Sequence, residues 1–541
     1  MTAAENVRRA YGRIAAAERQ GVWIALRPER DALVDAGAID ERSDAGEQLP
    51  LAGTTLAVKD NIDVAGMDTT AACRSFAYHA DADAEVVARL KTAGAIVLGK
   101  TNMDQFATGL VGTRSPYGVV RDAIRPEYVS GGSSSGSAVA VALAHVDLAL
   151  GTDTAGSGRV PAAFQGIFGI KPTRGLVPTL GMVPACPTLD CVSVFARTLE
   201  LAGRAVALIW GPHAGDPRTR AWPLDAPLGA PPVPLIAVPR LGQLSELSSA
   251  ARRKFAETAF RLQESGAELL EIDLTPFLEA GRMLYDGSLV AERYAAFGRF
   301  LEGHADGADP DVAAIITAAA SVPAHALVSD REQLAELRRA ARDSLAGTHA
   351  LLLPTTTTQP TVAEALADSA AVNSRLGTYT NFCNLFEMCA LAAPAGDADG
   401  GHFGVTLFAP AFHDLVLVDL AARMSAAAVA VPAPDGGPSA VQLFVHGAHL
   451  TGRPLNSELT DRGGRFLREA RVDPDDPDGE SIRGELWLLS VAAIGSLLAD
   501  LPAPIALGRV HLSDGAEPIG FLSASGIGGD FRGSTAFVRI A

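Results

Sequence analysis

Gly131–Pro161 reads GGSSSGSAVAVALAHVDLALGTDTAGSGRVP. Two small-residue loops that carry serines, Gly131–Gly136 and Gly151–Gly158, bracket a helix-like run, Ser134–His145, and a strand-like run, Asp147–Leu150. Upstream, Gly53–Val58 is β-like and stops at Lys59, a strand end, where α/β folds keep their chemistry. The question set by this stretch is whether Lys59, Ser133 and Ser157 meet in one site.

The flanking chain alternates helices and strands. Asp83–Gly94 has apolar residues at helical spacing and leads into the β-like Ala95–Leu98. Pro161 sits near the start of a further helical segment. Ser245–Ser265 and Glu279–Glu302 read as helices. Leu351–Leu353 and Gly404–Phe408 read as strands, and Asp414–Met424 as a closing helix. The pattern predicts an α/β fold with a mixed, mostly parallel central sheet wrapped by helices. The Pro-rich Pro223–Pro239 reads as an excursion within that fold. Ser425–Ser439 has linker composition, and the runs after it are short and β-like, such as Leu486–Ser490 and Arg509–Leu512. The expected domains are therefore 1–436 and a small β-rich domain, 437–541.

At 541 residues the chain can bury a large core. Its net charge of −17 argues against nucleic acid or an anionic membrane as partner. No apolar run reaches the ~18 residues of a membrane span. Cys73, Cys186, Cys191, Cys383 and Cys389 are odd in number and form no CxxC, which reads as reduced thiols in the cytoplasm. The histidines form no HExxH or HxxEH, so no metal site is expected.

A serine hydroxyl needs a base to become a nucleophile. Gly132–Gly136 (GSSSG) formally fits the G-x-S-x-G elbow, with Ser134 as nucleophile, but no Asp/His pair follows. The other candidate base is Lys59, which can accept a proton only when neutral. Burial after an apolar strand favours that state, and Asp60 opposes it if close. The loop GTDTAGSG lacks the lysine of a phosphate-binding P-loop. Its small residues suit an oxyanion hole made by the N–H groups of Thr154, Ala155 and Gly156.

Lys59, GGSSSGS and GTDTAGSGRVPA together resemble the amidase signature family, with both Lys-to-Ser and Ser-to-Ser intervals in keeping with it. The resemblance implies Ser157 as acyl-accepting nucleophile, Ser133 (with a cis peptide) as proton relay and Lys59 as terminal base. Ala155 and Gly158, with MDQFATGLVGTRSPYG at Met103–Gly118, look most like allophanate hydrolases. Leu284–Tyr294 (LYDGSLVAERY) resembles their carboxylate-holding segment, so Tyr285 and Arg293 carry over as binders of a small anionic amide. On residue type alone, Arg293 reads instead as a helix-surface ion pair with Glu292 or Asp286. Val441–Asn456 resembles the opening of their appended domain, related to γ-glutamylcyclotransferases. His449 is the candidate there, and Glu469, Glu480 and Glu485 are the candidate carboxylates. The same resemblance implies no cofactor, a homodimer, and a functional link to a urea carboxylase or a triazine-degrading pathway. A general small-amide amidase or the A-type component of an amidotransferase is the alternative.

Overall fold

The computed structural model describes residues 2–17, 19–304, 307–425, 439–472, 481–502 and 505–523. Thr55–Lys59 and Leu148–Asp153 are buried along their whole length. Such runs, apolar on both faces, belong in the middle of a sheet covered on both sides.

The large sheet holds β1 (Trp23–Leu26), β2 (Thr55–Lys59), β3 (Ile96–Thr101), β4 (Leu148–Asp153), β5 (Phe168–Lys171) and β6 (Cys191–Ala196). It continues with β7 (Leu235–Pro239), β8 (Glu268–Ile272), β9 (Ala350–Pro354), β10 (Cys389–Ala398) and β11 (Gly401–Ala409). Their order across it is β1-β3-β2-β4-β6-β5-β10-β11-β9-β7-β8. The sheet is mixed and flanked by helices, as expected. Parallel pairing is confined to two groups, β3-β2-β4 and β9-β7-β8. Every other neighbouring pair is antiparallel, so parallel pairs do not predominate. The hairpin β10–β11 takes part in three of these six antiparallel pairs. It turns at Asp399-Gly400, both with positive φ (52° and 77°), the backbone that a tight hairpin turn requires.

Residues fall into two compact units, Met1–Arg220 with Leu235–Asp435, and Ala221–Pro234 with Gly436–Ala541. The Pro-rich segment thus contributes to the second unit. Leu228 N donates to Gly463 O (2.8 Å), and Ala492 N to Leu224 O (3.1 Å). The second unit is a sheet of β12 (Ala440–Val445), β13 (Arg465–Val472), β14 (Ile482–Ser490), β15 (Ile505–Arg509) and β16 (Ile519–Ser523). They are ordered β13-β14-β12-β16-β15. Leu443, Val445, Trp487, Leu489 and Leu497 form its core. The expected linker, the segment after Ser523 and Glu480 lie almost wholly outside the described residues.

Three helices position the site: α1 (Ser135–Ala142), α2 (Thr275–Asp286) and α3 (Ala291–Gly303). The single helix expected over Glu279–Glu302 is broken at Gly287, whose extended backbone ends α2.

Candidate active site

β2 and β4 run parallel with Val58 opposite Leu150, so both strands end on one edge of the sheet. Lys59 ends β2, and the Thr154–Gly158 loop follows β4. The small residues of α1 let its N-terminal serines pack down on that same edge; Ser133, Ser134, Ser135 and Ser137 are all buried.

Lys59 is fully buried. Its Nζ donates to Ser133 Oγ (2.8 Å), Ser134 Oγ (3.0 Å) and Thr152 Oγ1 (2.7 Å). All three ammonium donors are thereby taken by neutral hydroxyls. Burial pushes the Lys59 amine down to about 7, against the longer-range pull of the Asp104, Asp153 and Asp190 carboxylates. Asp60 is engaged elsewhere, by Lys100 (3.2 Å) and by the Thr70 backbone (3.0 Å) and hydroxyl.

Ser133 Oγ lies 3.0 Å from Ser157 Oγ, completing an unbroken chain from Lys59 through Ser133 to Ser157. The Gly132–Ser133 peptide is cis. Gly132 permits the close approach of Asp104: a Cβ there would lie 2.1 Å from Asp104 Oδ2. Asp104 in turn takes the N–H groups of Gly112 (3.0 Å) and Arg114 (3.0 Å), and its own N donates to Ser133 O (3.1 Å). Ser134, the nucleophile of the elbow reading, donates to Thr152 O (3.0 Å) and meets no histidine among the described residues. His145 is buried, with neither ring nitrogen partnered among the described residues.

The loop after β4 is fastened from beneath. Arg159 forks onto Asp153 through Nε–Oδ2 and Nη2–Oδ1, both 2.9 Å, with both side chains fully buried. Gly158 N donates to Asp153 Oδ2 (2.9 Å), and Arg159 also reaches Ala155 O (3.1 Å) and Thr380 O (3.1 Å). The Thr154 hydroxyl donates to Asp190, whose carboxyl is pushed up to about 6 by burial. With those anchors made, the backbone N–H groups of Thr154, Ala155 and Gly156 have no acceptor among the described residues. Gly156 is obligatory for contact: a Cβ there would lie 2.4 Å from Thr380 Oγ1. Asp104, Thr152, Asp153, Arg159 and Asp190 were missed by sequence reasoning. A signal existed for two of them, since Asp153 and Arg159 are opposite charges inside a run of small residues.

Arg293, on α3, is fully buried and has no carboxylate within ion-pair distance among the described residues. Its Nη1 donates to Thr108 Oγ1 (2.8 Å), its Nη2 to Tyr285 OH (2.9 Å), and its Nε has no partner among the described residues. The surface ion-pair reading therefore fails; Glu292 is occupied by Thr188 N (2.9 Å) and its hydroxyl. Tyr285 also lines a cleft of ≈ 930 Å³, together with Arg114, Asn373 and Asn381. Asn381 follows Thr380, which backs onto the loop at Gly156.

In the second unit, His449 is buried, with Nε2 3.1 Å from Glu458 Oε2 and its ring stacked 4.7 Å from Phe521. Glu485 takes Thr451 N (3.0 Å) and Trp487 Nε1 (2.9 Å), and Glu469 and Glu485 both line a separate cleft.

Residues 5–418 match the amidase family model. The chain belongs to the amidase family. This amidase carries a second match at residues 471–530, to the allophanate hydrolase C-terminal domain. It is 38% identical over 540 residues to the urea amidolyase of Saccharomyces cerevisiae, covering 91% of this chain and 29% of that protein. It therefore spans a little under a third of that relative's length. Among solved structures it is similar to the Kluyveromyces lactis allophanate hydrolase, with a TM-score of 0.86 and 34% identity, covering 97% of this chain and 93% of that one. An indoleacetamide hydrolase from Pseudomonas syringae pv. syringae is 35% identical over 274 residues, 50% of this chain and 58% of that one. The chain is thus an amidase whose architecture, amidase domain and C-terminal domain together, is similar to that of allophanate hydrolases. No single helix among its described residues is long and apolar enough to cross a membrane, and all five cysteines are free thiols.

Proposed function

We propose that this amidase hydrolyses allophanate (urea-1-carboxylate) to ammonia and N-carboxycarbamate, which decarboxylates, for ammonia and carbon dioxide overall. The observation that carries the substrate assignment is Arg293, a guanidinium buried without a carboxylate. Burying a cation unpaired is costly, and an anionic substrate supplies the missing charge. A carboxylate suits the guanidinium fork, and the Tyr285 hydroxyl, which accepts from Arg293, keeps its own proton to donate.

The reaction follows from the hydroxyl chain. Neutral Lys59 takes the Ser133 proton while Ser133 takes that of Ser157, and Ser157 Oγ bonds to the terminal carbamoyl carbon. The developing oxyanion is met by the N–H groups of Thr154, Ala155 and Gly156, each worth about 3 kcal/mol of barrier in a dry site. Lys59 returns the proton through Ser133 to the leaving nitrogen, and ammonia departs. Water, deprotonated along the same chain, attacks the acyl-enzyme and releases N-carboxycarbamate. We place the candidate for decarboxylating that product at His449, whose Nδ1 has no partner among the described residues. This reading links the enzyme functionally to a urea carboxylase or to a triazine-degrading pathway.

Ammonia release from allophanate, malonamate and simple amides tests the assignment. Wild type prefers the carboxylate-bearing amides, Ser157→Ala is inactive and Arg293→Ala is weak through a raised KM. A panel showing no preference for a carboxylate beside the scissile amide removes allophanate as substrate and leaves a general amidase.

A further inference from the structure

We propose that Thr108 is a positioning residue for substrate specificity: its hydroxyl aims the Arg293 guanidinium that selects the substrate carboxylate. The inference rests on the reading that Arg293 binds that carboxylate, and it adds the group that holds Arg293 in place.

Phe106 and Ala107 precede Thr108 in left-handed backbone, both with φ of 52°. Two consecutive non-glycine residues there are uncommon, and such conformations persist only where the surroundings dictate them. The surroundings here are one face of α3. Phe297 follows Arg293 by one helical turn, so both project from the same side of the helix. The Phe106 ring packs on Phe297 with centroids 4.2 Å apart, and Thr108 Oγ1 accepts from Arg293 Nη1 at 2.8 Å. The turn therefore grips α3 at two successive points, one apolar and one polar.

The Thr108 hydroxyl is itself oriented. Its proton goes to Phe106 O (3.2 Å), which leaves a lone pair directed at Arg293. With Tyr285 OH on Nη2, two neutral acceptors fix the plane of the guanidinium without cancelling its charge. A carboxylate in Thr108's place would neutralise Arg293 and compete with substrate. An apolar residue would leave Nη1 buried without an acceptor and the plane unfixed. The sequence MDQFATG thus serves two ends of the site: the Asp104 backbone N–H donates to Ser133 O, and Thr108 holds Arg293.

The test compares Thr108→Val, which keeps shape and removes the acceptor, with Thr108→Ser and Arg293→Ala. Steady-state kinetics on allophanate are read beside the rate of Ser157 labelling by a fluorophosphonate, which carries no carboxylate. Thr108→Val is expected to raise KM on the order of tenfold, the loss of one hydrogen bond to a charged group, with kcat within about twofold and labelling unchanged; Thr108→Ser restores KM. An unchanged KM in Thr108→Val beside a raised KM in Arg293→Ala overturns this inference alone. Unchanged KM in both overturns the carboxylate reading and the inference with it. Labelling that slows in step with the KM rise makes Thr108 a structural residue and also overturns the inference.

Discussion

Lys59 Nζ sits 2.8 Å from Ser133 Oγ with its side chain fully buried, and no carboxylate among the described residues lies within ion-pair reach of it. Burial, against the pull of the Asp104, Asp153 and Asp190 carboxylates, brings this amine down to about 7. A base must be unprotonated to work, so kcat/KM should rise with pH along a one-proton limb centred near 7 and disappear below it. A profile flat from pH 5 to 9 would remove Lys59 as the base.

Asp190 helps hold Lys59 in its charged form, because a nearby carboxylate favours the ammonium. Asp190→Asn keeps an acceptor for the Thr154 hydroxyl and removes that charge. The acid limb of the pH profile should move to lower pH in this variant, and a move to higher pH would contradict the electrostatics described above.

Ser133 has no function without its hydroxyl. Ser133→Ala cuts the chain between base and nucleophile, and kcat should fall by about 10²–10⁴, the usual worth of positioned proton transfer. Fluorophosphonate labelling of Ser157 should slow with it. Near-normal turnover in Ser133→Ala would mean that Lys59 reaches Ser157 by another route.

The Asp153–Arg159 pair fastens the Thr154–Gly158 loop with both side chains fully buried. Arg159→Met strands a buried carboxylate and should cost about 3–5 kcal/mol of stability, read from the denaturant midpoint, together with most of the activity. A midpoint shift worth less than about 1 kcal/mol would place the pair in the class of surface ion pairs.

Much of the site was legible because its motifs are local. GGSSSGS and GTDTAGSG mark loops at element ends, and Lys59 follows a strand that is apolar on both faces. The charged residues beneath them were not, because their partners are set by the fold: Asp190 comes from the start of β6 and Asp104 from the turn after β3. On residue type alone Arg293 looked like a surface residue of α3, because helical spacing does not show what packs against the helix; only the resemblance of its segment pointed to the site. The Asp399-Gly400 hairpin signal went unread, and with it the antiparallel pairing of β10 with β11. The place of Ala221–Pro234 in the second unit was not readable. A proline-rich stretch looks the same whether it joins one fold or another, and only the bonds of Leu224 and Leu228 decide.

The most direct measurement is mass-spectrometric mapping of the fluorophosphonate adduct in wild type and in Lys59→Ala. We predict a single adduct on Ser157 in the folded wild type, formed at least a hundredfold more slowly, on the order of one lost general base, in the variant. An adduct on Ser134, or labelling of Ser157 at the same rate without Lys59, would contradict a nucleophile activated by a buried amine through a second serine.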